Sequence, residues 1–104
     1  MDIRDAEKIL QDIEGVCKAN NDDPLVVVAN GNKLIPVKRV IAVDNVFNVC
    51  TAIGDDDDSI TLSNMMAGFE TIDFDYIKID FDKEVKSIKI DLIGNFMYII
   101  MEVE

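Results

Sequence analysis

The sequence predicts an α+β domain: one N-terminal amphipathic helix packed on a mostly antiparallel sheet of hairpins. Three observations carry this expectation. Apolar residues recur at steps of three and four over residues 3–18, the period of a helix with one buried stripe. The rest of the chain is dominated by short β-branched and alternating runs, which suit a pleated, partly buried surface. Between those runs stand Asn-Gly, Asp-Asn and Gly-Asn pairs, residues that tolerate the backbone of tight turns.

Within the helix, Ile3, Ala6, Leu10, Ile13 and Cys17 form the stripe, and Ile9 and Val16 widen it. Asp2 is placed to cap the first turn, while Asp5 and Glu7 lie where the helix dipole favours negative charge. Ala19-Asn20-Asn21 ends the element. Leu25-Val26-Val27-Val28-Ala29 then reads as a strand covered on both faces, Asn30-Gly31 as a hairpin turn, and Asn32 to Ile35 as the return. Pro36 has no N–H to donate, so it marks a strand end, a bulge or an edge. Val37 to Val43 continues extended, Asp44-Asn45 turns, and Val46 to Ile53 forms a further strand. A loop at 54–59 leads to Ser59-Ile60-Thr61-Leu62, expected to return as a short strand against 46–53. Ser63 to Gly68 suits one helical turn with Ser63 as cap and Gly68 as stop.

The last third reads as a meander. Ile72, Phe74 and Tyr76 alternate with aspartates, and the parity flips at Ile77, which implies a bulge. Asp82-Lys83-Glu84 is expected to turn the chain, with Ile88, Ile90 and Leu92 inward on the next strand. Gly94-Asn95 makes a tight turn into Phe96 to Val103. That final strand is apolar on both faces, so it belongs at the centre of the sheet, under the helix, or in a subunit contact. Two-sided strands need a second covering layer, which one long helix cannot supply. The layer is then a folded-over part of the sheet or a partner chain. No repeat, linker or composition break divides residues 1–104, which read as a single domain.

The chemistry is narrowed mainly by what is missing. There is no His, which removes Ser–His and Cys–His catalytic pairs and every His-dependent metal site. Cys17 and Cys50 are too far apart and too few for a zinc site or a disulfide framework, and read as reduced core residues. Phosphate-cradling glycine loops and the nucleophile elbow are missing too. No enzyme activity and no cofactor are expected. The acidic N-terminus lacks the apolar stretch of a signal peptide, and Phe96–Met101 is far shorter than a bilayer span. A cytoplasmic location is expected, away from membranes.

Charge is the most informative feature. The chain carries a net −11, which opposes direct binding to nucleic acid or anionic lipid. The excess is uneven: residues 54–82 hold nine acids against one base, whereas residues 24–53 hold one acid against Lys33, Lys38 and Arg39. Asp55, Asp56, Asp57, Asp58, Asp73, Asp75, Asp80 and Asp82 make up most of the negative stretch. Three uses compete for it: a solubilising surface, a docking surface for a basic protein, or a weak divalent-cation site. A calcium loop started at Asp55 places Ile60 where the sixth position needs Gly and Met66 where the twelfth needs Glu, so an EF-hand is excluded. Asp73, Asp75, Asp80 and Asp82 are expected on the polar side of alternating strands, where solvent leaves them without catalytic tuning. The three cations on residues 33–39 read as ion-pair partners for the acidic face.

The opening pattern, helix 3–18 followed by Asp22-Asp23-Pro24-Leu25-Val26-Val27-Val28 and then Leu34-Ile35-Pro36-Val37, resembles short accessory proteins of phages and prophages. In size, acidity and lack of a catalytic set the chain is also similar to phage-encoded inhibitors of bacterial defence nucleases and to immunity proteins of toxin nucleases. These resemblances imply a non-enzymatic acidic protein, encoded by a phage or mobile element, that inhibits a basic nucleic-acid-handling partner. The eight aspartates above would be its partner-binding residues. The alternative is an assembly protein in which Phe96–Met101 and Val26–Val28 form a homo-oligomer.

Overall fold

A computed structural model describes residues 1–31, 33–51, 59–70 and 82–103. The elements are α1 (Ile3–Ala19), β1 (Leu25–Asn30), β2 (Lys33–Val43), β3 (Val46–Thr51), α2 (Leu62–Glu70), β4 (Asp82–Ile93) and β5 (Phe96–Val103). The class is α+β, with the N-terminal helix on a mostly antiparallel sheet, as the periodicities predict. The sheet folds over into a closed barrel of order β1-β2-β3-β4-β5, so the second layer comes from the chain itself.

α1 starts and stops for local reasons. Asp2 accepts a hydrogen bond from the Arg4 amide at 2.8 Å, satisfying one of the donors a helix start leaves open. At the other end Asn21 adopts a left-handed φ of 56°. The Asn21 amide donates to the Lys18 carbonyl and the Asp22 amide to the Cys17 carbonyl, at 3.2 and 2.8 Å, which is the Schellman closure. Ala6, Leu10 and Cys17 are buried, with Ile3 and Ile13 packed beside them. Val16, expected to widen the stripe, is 61% exposed. It lies beyond the edge of the surface that α1 covers.

Turn chemistry sets the hairpins. Asp44 and Asn45 both take positive φ, the type I′ requirement that matches strand twist. In the first hairpin Asn30 pairs with Lys33, so Gly31, with φ 61°, is the first loop residue. β2 runs unbroken through Pro36, which is the last residue to pair with β1; a bulge follows between Val37 and Arg39. Beyond that point β1 and β2 diverge, and residues 60–62 enter between them. The Ile60 amide donates to Val37 and the Ile60 carbonyl accepts from Val26, both at 2.9 Å, and the Leu62 amide donates to Pro24. The expected hairpin of 59–62 on β3 is therefore replaced by a bridge to β1, Leu25 with Thr61.

The barrel closes through a parallel pair, Leu25–Val28 of β1 beside Tyr98–Met101 of β5. β5 is thus central, between β4 and β1. Ile99 and Met101 enter the core with Val26, Val28, Val37, Phe47, Val49 and Val85, joined by Leu10 of α1 and Leu62 and Met65 of α2. Val27 and Ile100, paired across the parallel seam on the opposite face, are also buried. At the β3–β4 seam the strands pair only over Asn48–Cys50 and Asp82–Glu84. Residues 1–3 continue that seam: the Phe47 amide donates to Met1, the Ile3 amide to Asn45, and the Met1 ammonium to Val85. Asp82-Lys83-Glu84 is consequently the first part of a strand and not a turn, because the seam gives its backbone a ladder partner.

Candidate binding surface

The described part of the acidic region is its root. The chain leaves β3 after Thr51 toward residues 55–58 and enters β4 at Asp82 after residues 73–80. Cys50 and Asp82 are directly opposed in the β3–β4 ladder. The two acidic segments therefore attach at one end of one strand pair. Asp55, Asp56, Asp57, Asp58, Asp73, Asp75 and Asp80 lie outside the described residues, as do the alternating runs expected over 72–81. Asp82 is within them as the first residue of β4.

Cations border this root. Arg39 opposes Cys50 in β2–β3, so Arg39, Cys50 and Asp82 fall in one row across three strands. Lys38 lies at the bulge one residue earlier. Glu84 is ion-paired with Lys86, and its carboxylate is 3.5 Å from the Met1 ammonium. The hydrogen bond from Lys86, aided by the nearby ammonium, holds the Glu84 carboxyl below its usual range. Glu84 is thus committed to the seam.

A second junction was not legible from local sequence. Asp23 reaches across forty positions to α2, accepting from the Ser63 amide at 2.9 Å and the Ser63 hydroxyl at 2.6 Å. Thr61 accepts from the Asn64 amide at 3.3 Å. α2 is therefore capped by Thr61 and Asp23, with Ser63 inside it, and it passes through Gly68 to Glu70. Partial burial tends to raise the Asp23 carboxyl, but hydrogen bonds from Ser63 and Thr61 outweigh it and leave it lowered. Cys17 and Cys50 are buried thiols that form no disulfide. Burial, then Asp22 and Asp23, pushes the Cys17 thiol up, so it stays protonated and unreactive.

The far end of β4 differs from the expectation. Ile88 packs on the core, but Ile90 and Leu92 are 38% and 63% exposed, with Ile93 and Phe96 exposed beside them. Alternation alone cannot say how far along a strand the core extends. Asp22, Pro24, Leu25, Phe96, Met97 and Tyr98 line a shallow open cleft of about 220 Å³ nearby. Of the segments expected to assemble into an oligomer, Phe96–Met101 and Val26–Val28, Phe96 is exposed and Met97 and Tyr98 are half-buried. Val26–Val28 and Ile99–Met101 are buried and lie in strands paired on both sides.

No helix among the described residues is long and apolar enough to cross a membrane, and none of their acidic and thiol side chains group as a metal site. Comparison of the chain with protein-family models, curated proteins and solved structures finds no match.

Proposed function

We propose that this chain is a non-enzymatic acidic binding protein that inhibits a basic nucleic-acid-handling partner, an anti-defence or immunity role suited to a phage or mobile element. The observation that supports the reading is the common root of the two acidic segments: nine acids against one base over residues 54–82, tied to the fold where Cys50 opposes Asp82. An excess of carboxylates mimics the phosphate charge that such a partner binds. Their field speeds encounter and weakens as salt screens it.

The test uses a lysine- and arginine-rich peptide as probe, followed by anisotropy, in competition with a DNA duplex. Replacing Asp55–Asp58 with Asn should slow association roughly tenfold at low salt. The control replaces Asp5, Glu7, Asp12 and Glu14 of α1 with their amides, an equal change of charge, and should have a much smaller effect. Equal effects from both sets, or affinity indifferent to salt, would overturn the proposal.

A further inference from the structure

We propose that β4 joins a second copy of this chain edge to edge, as an antiparallel two-fold pair centred on Ile90. The backbone sets the geometry. Ile93 pairs with Phe96 across the two-residue turn Gly94-Asn95, and Gly94 has φ 63°. In a two-residue hairpin the flanking pair exchanges both main-chain bonds, and bonded and non-bonded pairs then alternate. Ile93, Asp91 and Lys89 therefore bond to β5. Ile88, Ile90 and Leu92 turn their N–H and C=O groups to the other side, where no strand among the described residues pairs with β4 beyond Glu84. The Leu92 amide instead takes the carboxylate of its neighbour Asp91 at 2.8 Å, the local substitute expected of an edge donor with no strand to meet.

Such an edge is a template for another strand, and its charges select this chain as the occupant. Centring on Ile90 opposes Ile90 with Ile90 and Ile88 with Leu92, giving about six main-chain bonds. The half-exposed Ile90 and exposed Leu92 then gain apolar neighbours. On the opposite face the same register sets Lys89 against Asp91 twice. Lys89 already lies 3.6 Å from Glu102, so it would sit between two carboxylates. Sliding the register by one bonded step opposes Lys89 with Lys89 or Asp91 with Asp91, which is unfavourable. Only the register centred on Ile90 pairs opposite charges.

Sedimentation velocity from about 5 to about 200 μM decides it. The wild type should shift from monomer to dimer across that range. Ile90→Pro removes a donor that the hairpin does not use, so it should abolish the dimer while leaving circular dichroism and Tm near wild type. Lys89→Asp and Asp91→Lys should each weaken the dimer roughly tenfold, and the double exchange should restore it to within about threefold. A wild type monomeric throughout overturns the proposal, as does a dimer indifferent to Ile90→Pro. If the proline variant fails to fold, the charge variants decide alone: indifference to the single reversals, or failure of the double exchange to rescue, overturns the pairing. Asn at 55–58 should leave the dimer unchanged, so failure here is distinct from failure of the acidic docking surface.

Discussion

The two ends of β4 belong to one continuous strand yet lead different lives. At its start, Asp82–Glu84 pair with β3 on one side, and Val85 is buried and holds the Met1 ammonium. At its end, Ile90 and Leu92 alternate with Lys89 and Asp91, and this stretch pairs with β5 alone among the described strands and stands in solvent with Ile93. Polar residues are thus built into the seam while apolar ones are exposed. The lesson is that alternation states which residues share a face, whereas neighbouring strands and helices decide whether that face is covered.

The largest expected contrast is between two phenylalanines. Phe47 is fully buried in the barrel and Phe96 is 68% exposed at the hairpin tip. Phe47→Ala should cost about 3–5 kcal/mol in urea unfolding, and Phe96→Ala less than about 0.5 kcal/mol. Similar losses would mean the tip is covered in the monomer. Next comes the turn that sets the edge. A Cβ at Gly94 meets nothing within 4 Å, so Gly94→Ala should cost about 1–2 kcal/mol through its positive φ alone. Then follows the clamp on α2: Asp23→Ala should cost about 1 kcal/mol at neutral pH.

Its pH dependence has a definite sign. The folded Asp23 carboxyl is lowered, so its contribution is complete above the unfolded value and fades as pH falls through the folded one. The gap between wild type and Asp23→Ala should therefore close in acid below about pH 4. Glu84 is lowered in the same direction. Glu84→Gln should show the smallest effect, a slight loss near neutrality that vanishes at low pH by the same reasoning.

Much of this was legible in the residues. The α1 stripe, its Asp2 cap, the Asp44-Asn45 and Gly94-Asn95 turns and the two-faced burial of β5 follow from local period and turn chemistry. What was hidden is long-range. Nothing near Leu25 or Tyr98 announces that they close a barrel in parallel, and nothing near Ser63 announces Asp23 as its cap. Asp82-Lys83-Glu84 looks like a turn because it is polar; the β3 ladder makes it a strand. The acidic clustering was legible as composition, while the common attachment of its segments depends on the Cys50–Asp82 pairing.

The division of β4 is tested most directly by amide hydrogen exchange along its length, first in dilute solution. The account predicts protected amides at Lys89, Asp91 and Ile93 and fast exchange at Ile90 and Leu92, with these last two slowing as concentration rises. Uniform protection along the strand at low concentration would contradict it, because the outer edge would then already be paired within one chain.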